Sequence, residues 1–301
     1  MDKVIKNFLI KIIAESKFLI KISRFRFWLY EAGTFFIGYL IAAKSLEDFL
    51  NLNFLIYLFY FIFPANLLIY GINDIFDYET DKNNPKKVSY EALLLPEYHK
   101  KVYFYILIFN LPFLIYSFLN LNLIQNLFLI LFLFFAIFYS AKPIRAKTIP
   151  ILDSFFSASH YVFTGIFGYY LIMNQNLNFP ILGFVFGILW AMAMHAYSAI
   201  PDVKFDKEAK VSTIATFLGA KKTIILCAFL YLSSFLILSY IEKIFILGYI
   251  PYLFLMILSL KNYDDNQKIM KLYKYFPYIN TTLPMLWSIY YLTVKFGGLN
   301  F

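Results

Sequence analysis

Two short acidic segments interrupt an apolar sequence, and each directly follows a long apolar run. Within each segment, carboxylates or a carboxamide recur every four residues, a spacing that places them on one face of a helix. Like charges at that spacing repel and destabilise a helix, so the pattern predicts a compensating cation. The side chains concerned are Asn73, Asp74, Asp77 and Asp81 in the first segment and Asp202 and Asp206 in the second.

The oxygen-rich side chains of these segments favour a hard divalent cation. Carboxylates bind Mg²⁺ or Ca²⁺, and Mg²⁺ commonly combines one or two carboxylates with phosphate oxygens of a substrate. Either segment alone would also fit a solvated loop at a membrane surface. The offset from Asn73 to Asp202 equals that from Asp77 to Asp206, as in an internal repeat of a four-helix unit. Together the segments predict Mg²⁺ ions that bridge a diphosphate.

A basic segment after another apolar run supplies a second type of diphosphate ligand. Its guanidinium would bind phosphate oxygens in a planar fork, and its ammonium groups would act as point charges. The same cations would also serve as the ordinary positive flank of a membrane span. The segment comprises Tyr139, Ser140, Lys142, Pro143, Arg145 and Lys147, and Lys204 in the second acidic segment has the same two interpretations.

The composition of the chain indicates a membrane protein. Of 301 residues, 61% are hydrophobic and 22% aromatic, whereas soluble domains are about 45–50% apolar. The net charge of +9 does not favour a nucleic-acid partner, because the basic residues flank the apolar runs instead of lining one face of a domain. Cys227 is the single cysteine, which excludes an intrachain disulfide and a cysteine-based metal site.

Apolar runs long enough to cross a bilayer predict an all-α, polytopic membrane protein with about nine transmembrane helices. A span needs about 20 apolar residues, with a range of about 17–25. Two pairs of spans depend on short polar breaks, at Asn120/Asn122 and at Glu242/Lys243. The predicted spans are 27–43, 49–72, 102–119, 121–140, 152–173, 179–200, 222–241, 244–260 and 276–296.

The basic residues predict the orientation of these spans. Short cytoplasmic loops retain Lys and Arg, while translocated loops lack them. With a cytoplasmic N-terminus, all basic residues except Lys44, Lys243 and Lys295 lie inside. We therefore expect a multi-pass protein of the cell membrane, in which all three polar segments lie on the cytoplasmic side.

The first residues carry a different pattern from the spans. Apolar residues recur at helical spacing between lysines, for example Phe8, Leu9 and Ile12. This pattern predicts a basic amphipathic helix on the inner membrane surface over residues 1–26, followed by a single transmembrane domain over residues 27–301. An ordinary basic topology anchor is the alternative for the first region.

The three polar segments together resemble those of the UbiA superfamily of intramembrane prenyltransferases. The first aspartate-rich motif of that family, Asn-Asp-x-x-Asp-x-x-x-Asp, is matched at 73–81, and the second, Asp-x-x-x-Asp, at 202–206. The Tyr-Ser-x-x-Pro-x-Arg-x-Lys segment is matched at 139–147. Within the superfamily, residues 151–153 and 196–219 look most like the lycopene elongase branch, whose members add five-carbon prenyl units to the ends of a carotenoid.

The resemblance implies a fold, a reaction and roles for the residues. About nine helices, built as pseudo-repeated four-helix units, would surround a central lipid-accessible chamber. The implied reaction is Mg²⁺-dependent transfer of a prenyl group from an allylic prenyl diphosphate to a hydrophobic acceptor in the lipid bilayer, such as lycopene or a related carotenoid. The implied catalytic residues are Asp77, Asp202, Asp206, Arg145, Lys147 and Tyr139; Asn73, Lys142, Arg145, Lys147 and Lys204 would bind diphosphate, and Asn73, Asp74, Asp77, Asp81, Asp202 and Asp206 would bind Mg²⁺.

A cation formed by loss of diphosphate would need aromatic faces around it and finally a base. Three tyrosines near the charged segments would either face this cation or belong to the interfacial aromatic belt. Three polar groups at membrane depth are candidate bases, although an interhelical hydrogen bond is the alternative for the two histidines. The tyrosines are Tyr70, Tyr139 and Tyr197, and the candidate bases are His195, Asp153 and His160.

Other classes of protein share parts of this pattern. A secondary transporter also carries charge within its helices, but its site usually lies near the bilayer midplane at broken helices. A CDP-alcohol phosphotransferase also uses metal-bound diphosphate chemistry, but its acids form one contiguous motif. A structural scaffold gives no reason for two matched acidic segments. Among prenyl acceptors, an aromatic quinone precursor competes with a carotenoid, and the sequence does not decide between them.

Overall fold

The computed structural model describes residues 2–82, 93–174 and 178–297. Helices make up 85% of the structure, and this described part contains no strand, which confirms the predicted all-α class. The helices are α1 Asp2–Ile22, α2 Trp28–Ala42, α3 Leu52–Ile62, α4 Pro64–Asp81, α5 His99–Asn120, α6 Leu123–Ser140, α7 Leu152–Met173, α8 Ile181–Ser198, α9 Val203–Glu208, α10 Ile214–Leu218, α11 Ala220–Ser239, α12 Tyr249–Lys261, α13 Asn266–Tyr273 and α14 Phe276–Phe296.

Six helical segments of the described chain are long and apolar enough to cross a membrane, which supports a multi-pass membrane protein. The three other predicted spans correspond to α2, which has only 15 residues, and to the more polar helices α7 and α14. The count of nine spans and the cytoplasmic N-terminus therefore stay predictions. The six segments are Leu52–Asp81, Pro96–Asn120, Leu123–Ser140, Ile181–Glu208, Ala220–Ser239 and Lys243–Lys261.

The second predicted span bends at a proline. Helix α3 ends at Ile62 and α4 begins at Pro64, which cannot donate the backbone hydrogen bond that one continuous helix requires. The Nδ2 atom of Asn66 donates to the carbonyl oxygens of Phe61 and Ile62, at 2.7 and 3.0 Å. This side chain satisfies backbone groups that the bend would leave without partners in an apolar environment.

Helix α7 packs against α2, α6 and α8, and α8 in turn packs against α11. The polar side chains of α7, including Ser154, His160 and Thr164, are buried against these neighbours. Polar side chains within a membrane are costly unless they face the interior of the bundle and find partners there. This explains why the more polar helix has several neighbours, while large apolar side chains such as Phe118 and Leu123 are exposed on other helices.

Helices α2 and α7 approach each other closely at glycines. A Cβ atom built on Gly38 would lie 1.8 Å from the carbonyl oxygen of Gly165, and one built on Gly168 would lie 2.4 Å from that of Phe35. Small residues permit such contact between membrane helices, where van der Waals packing and hydrogen bonds supply the attraction. The contact fixes the relative position of the side chains through which the two helices bond to each other.

Replacing Gly38 with alanine is expected to destabilise the protein, because the new methyl group would overlap the backbone of α7. Overpacking of this kind typically costs about 1–3 kcal/mol. Thermal unfolding of the detergent-purified protein measures the change. Gly33→Ala on the same helix is the matched control, since a Cβ atom there meets no atom within 4 Å. Equal unfolding temperatures for the two variants would contradict the close contact.

The N-terminal segment is helical, as predicted, although α1 ends at Ile22. Apolar side chains such as Phe8 and Leu9 are exposed. Glu15 pairs with Lys101 of α5 at 2.7 Å, and this hydrogen bond lowers the pKa of the Glu15 carboxyl. The position of α1 on the inner membrane surface and the division of the chain into residues 1–26 and 27–301 stay predictions.

Candidate active site

The first acidic segment is the last part of α4. The helix continues to Asp81, so the polar residues that recur every four positions share one helical face. Asn73, Asp77 and Asp81 all line one cavity of about 670 Å³. The Nδ2 atom of Asn73 donates to Ser140 Oγ at 3.2 Å, which joins the acidic segment to the basic segment that begins at the end of α6.

The second acidic segment lies just beyond the end of the long helix of its span. Helix α8 ends at Ser198, and a 3₁₀ turn leads into the short helix α9. Pro201 lies in this turn and cannot donate the backbone hydrogen bond of a continuous helix, which explains the break. Asp202 and Asp206 nevertheless line the same cavity as the first segment. The structure therefore brings the two acidic segments together.

Lys147 brings the positive charge of the basic segment to the cavity lining. Its ammonium group forms an ion pair with Asp77, whose side chain is 1% exposed. Arg145 joins this pair, because its Nη2 lies 3.5 Å from Asp77 Oδ1 and donates to the carbonyl oxygen of Phe76 at 3.3 Å. One carboxylate of the first acidic segment is therefore in contact with two cations of the basic segment.

Asp74, Lys142, Arg145 and Lys204 do not line the cavity, although the sequence predicted them as ligands. The Oδ1 atom of Asp74 instead lies 2.6 Å from Nη2 of Arg24, and the Asp74 side chain is 2% exposed. Adjacent residues of a helix point about 100° apart, which turns Asp74 away from the face that carries the other acids. Lys142 and Lys204 are exposed.

Arg24 is a cavity residue that sequence reasoning missed. It follows α1 in a left-handed conformation, with φ of 51°, and its guanidinium lies 4.7 Å from the ring centroid of Tyr70. In the sequence it belongs to the basic stretch attributed to an interfacial helix, and no pattern separates it from its neighbours. The structure assigns this cation to the same cavity as Lys147.

Much of the remaining cavity wall is aromatic or apolar. Tyr70 and Tyr139 line it, whereas Tyr197 is buried elsewhere, with its hydroxyl 2.8 Å from Ser259 Oγ. Electron-rich ring faces attract a cation placed over them. One cavity thus combines charged groups with aromatic surfaces. Further lining side chains are Phe27, Tyr30, Tyr161, Met194 and Phe276.

The two histidines predicted at membrane depth both line the cavity, but they differ in their hydrogen bonds. His195 lies between two hydroxyls, with Nε2 2.8 Å from Tyr139 Oη and Nδ1 3.0 Å from Ser154 Oγ. His160 is bonded through Nδ1 to Glu31 Oε1 at 2.6 Å. Both ring nitrogens of His195 are therefore engaged, while Nε2 of His160 is the nitrogen that can face the cavity.

Asp153, the third candidate base, bonds to backbone N–H groups and does not line the cavity. It is fully buried, and its two oxygens accept the N–H groups of Ser154 and Ile214 at 2.7 Å each. These bonds link the start of α7 to the start of α10. The arrangement favours a structural role for this carboxylate over that of a base.

The oxygen donors of the cavity fit Mg²⁺ in type, because hard cations prefer carboxylate and carbonyl oxygens. In the described part of the chain, no group of three or more His, Cys, Asp or Glu side chains is arranged so that it could hold a metal ion. Dispersed protein donors are compatible with Mg²⁺, which takes several of its ligands from substrate phosphates and water. The predicted donors that share the cavity are Asn73, Asp77, Asp81, Asp202 and Asp206, and the carboxylates of Glu79 and Glu208 line it as well.

Comparison with known protein sequences gives a consistent result. The sequence pattern of the UbiA prenyltransferase family matches residues 32–280. The chain is 33% identical over 288 residues to the lycopene elongase/hydratase of Haloarcula japonica, an alignment that covers 93% of each chain. These matches confirm the resemblance seen in the three polar segments.

The fold is similar to that of solved membrane enzymes of the same family. Two structures of a UbiA homolog from Archaeoglobus fulgidus, one bound to GPP and Mg²⁺ and one bound to DMAPP and Mg²⁺, each align with a TM-score of 0.69 and 18% identity. The alignments cover 91% and 92% of this chain and 99% of that one. At this level of identity the likeness concerns the fold alone.

Proposed function

Because the chain belongs to the UbiA prenyltransferase family, we propose that it transfers a prenyl group from an allylic prenyl diphosphate to a carotenoid such as lycopene. The general activity, prenyl transfer, follows from the family. The donor is supported by the GPP and DMAPP bound to the similar solved structures. The acceptor is supported by the likeness to a lycopene elongase/hydratase along nearly the whole chain.

One observation carries the proposal: residues of all three polar segments line a single cavity that also has an aromatic wall. A diphosphate needs cations, and an isoprenoid chain needs an apolar surface free of water. Both requirements meet within one space of about 670 Å³. Pockets for molecules of this kind are mostly apolar with a few convergent polar groups.

The diphosphate end of the donor is assigned to the charged residues of the cavity. The five predicted oxygen donors named above would hold Mg²⁺, which when bound supplies Lewis-acid stabilisation of the charge that develops on diphosphate. Lys147 and Arg24 would add two fixed positive charges at the cavity wall, and Arg145, which lies outside the lining, would act through its contact with Asp77. Asp74, Lys142 and Lys204, which lie outside the lining, would contribute less.

The reacting end of the donor would lie against the aromatic wall. As the C–O bond breaks, its electron pair leaves with the diphosphate, and positive charge develops on the allylic carbon. Ring faces such as those of Tyr70 and Tyr139 stabilise this charge, and an apolar wall keeps out water that would otherwise hydrolyse the cation. A terminal double bond of the carotenoid then attacks the allylic carbon and forms the new C–C bond. We place this site on the cytoplasmic side, with the acceptor arriving from the bilayer.

Incubation of the purified protein with radiolabelled DMAPP, Mg²⁺ and a panel of lipid acceptors tests the proposal. The panel contains lycopene and an aromatic quinone precursor, and mass spectrometry identifies the labelled lipid. We expect a labelled carotenoid heavier by one five-carbon unit or a multiple of it, and no label in samples without Mg²⁺. Label in the aromatic acceptor alone would overturn the carotenoid assignment, and intact donor in every sample would overturn prenyl transfer from DMAPP.

A further inference from the structure

A buried carboxylate, an imidazole and a hydroxyl join α2 to α7. Glu31 Oε1 lies 2.6 Å from His160 Nδ1, and Thr164 Oγ1 donates to Glu31 Oε2 at 2.9 Å. Glu31 is 1% exposed and His160 4%. Thr164 lies one helical turn beyond His160, so both side chains present themselves to the same carboxylate.

The close contact of α2 and α7 holds this group in place. The helices touch at Gly38, where a Cβ atom would lie 1.8 Å from the carbonyl oxygen of Gly165. An ionisable pair within membrane helices is costly and usually has a function. A hydrogen bond between the two helices would not by itself require an ionisable pair, since neutral polar side chains also form hydrogen bonds between membrane helices.

His160 presents one ring nitrogen to the cavity. The imidazole lines the cavity, and its Nδ1 is bonded to Glu31. An ionised Glu31 can only accept a hydrogen bond, and in that state Nδ1 would carry the proton and Nε2 the lone pair. The ring lies beside Tyr161, with ring centroids 4.2 Å apart, on the aromatic part of the wall. A proton acceptor is thus located where the hydrocarbon part of the substrates would lie.

The other titratable groups considered as bases are less suited to accept a proton. His195 has both ring nitrogens bonded to hydroxyl groups, and both oxygens of Asp153 accept backbone N–H groups. The third histidine of the chain, His99, does not line the cavity. Among the described residues that line the cavity, His160 combines an open ring nitrogen with a carboxylate partner.

We propose that His160 is the base that accepts the proton released at the end of prenyl transfer, and that Glu31 is the residue that positions it. The proposal rests on the function proposed above. Attack of the acceptor double bond on the allylic carbon leaves a positive charge on the acceptor. The charge is removed either when an adjacent C–H bond supplies the electrons of a new double bond, or when water adds and loses a proton.

His160 can accept the proton in either case, whether a C–H bond is lost or water adds. In each case one proton passes to His160 Nε2, no electron is gained or lost overall, and the diphosphate has already departed with the electron pair of the C–O bond. The resulting imidazolium is stabilised by the carboxylate of Glu31, to which it remains hydrogen-bonded. A carboxylate that accepts from one ring nitrogen orients the histidine and sets which nitrogen faces the substrate.

The test compares product ratios in purified wild-type protein and two variants, with labelled DMAPP, lycopene and Mg²⁺. His160→Gln removes the base. Glu31→Gln keeps the shape of the carboxylate and can still accept from His160 Nδ1 through its amide oxygen, but its NH2 group donates to Thr164 Oγ1 and the negative charge is gone. Products are separated into double-bond isomers and alcohols, and diphosphate release is measured in parallel. Ser159→Ala is the matched control, since Ser159 is a buried polar residue of α7 that bonds only within its own helix and lies outside the cavity lining.

The wild type is expected to give one predominant product. His160→Gln should give a mixture of isomers and alcohols, with the share of the predominant product reduced severalfold, while diphosphate release, which precedes the proton transfer, should be largely retained. Glu31→Gln should shift the ratio in the same direction by a smaller factor, and Ser159→Ala should leave it unchanged. A merely structural role would lower the amount of active protein without altering the ratio.

One result would overturn the assignment of the base, and another would overturn the proposed function. An unchanged product ratio in both His160→Gln and Glu31→Gln would overturn the assignment of the base and leave the proposed function intact. If His160→Gln does not fold, Glu31→Gln alone decides, because its amide fits the same space. A wild type that forms no labelled carotenoid, and so no ratio to compare, would overturn the proposed function and this assignment with it.

Discussion

Replacing Asp202 with asparagine is expected to lower prenyl transfer by about 10²–10³-fold, the loss seen when one preorganised electrostatic contact to a developing charge is removed. Asp202 lines the cavity and is partly buried, and asparagine has nearly the same shape, so the change removes a negative charge with little change in packing. The Mg²⁺ concentration that gives half-maximal activity should rise as well. Steady-state transfer to lycopene over a range of Mg²⁺ concentrations measures both effects.

Asp264→Asn is the matched control for this variant. It makes the same substitution at an exposed aspartate that does not line the cavity. We expect it to keep the activity and the Mg²⁺ dependence of the wild type. Purified Asp202→Asn protein that unfolds at the wild-type temperature and retains near-normal transfer would contradict the role of the second acidic segment in metal binding.

Replacing Lys147 with glutamine is expected to lower both activity and stability. Its ammonium group lines the cavity and pairs with Asp77, which is 1% exposed. A hydrogen bond between charged groups contributes about 1.5–3 kcal/mol, which corresponds to a loss of about 10–10²-fold in kcat/KM if the same group binds the departing diphosphate. Arg145 remains 3.5 Å from Asp77 and limits the loss of stability.

Two further variants separate the two effects of Lys147. Lys147→Arg keeps the positive charge and should restore stability more fully than activity, because the larger guanidinium changes the position of the charge in the cavity. Lys271→Gln, at an exposed position outside the lining, is the control that should change neither. If Lys147→Gln lowered the unfolding temperature but left kcat/KM unchanged, the ion pair with Asp77 would be structural only.

The chemistry of the site could be predicted from the sequence because it depends on residue type and local spacing. Acids four residues apart share a helical face, and the structure places Asn73, Asp77 and Asp81 together on the wall of one cavity. The long apolar runs likewise predict membrane helices, since length and hydropathy are local properties. Pro201, which lies in the turn before the second acidic segment, is a local signal of the same kind, because a proline interrupts a helix.

The partners of buried charges could not be predicted, because they come from distant parts of the chain. Arg24 meets Asp74 across 50 residues, and Glu31 meets His160 across 129. In the sequence, Arg24 was one basic residue among several, and Glu31 was a single acid within an apolar run. Such pairs form only when each helix is rotated about its axis so that the two side chains face each other. The spacing of residues within one helix does not reveal how that helix is rotated relative to its neighbour.

The sequence by itself thus determined the family, the all-α membrane class and the acidic and basic character of the site. Only the tertiary structure decided which charges reach the cavity: Asp77 and Lys147 line it, while Asp74 and Lys142 do not. The physical reason lies in geometry. Whether a side chain reaches a shared cavity depends on how its helix is rotated and packed. Contacts between helices, such as Gly38 against Gly165, fix that rotation in the folded protein.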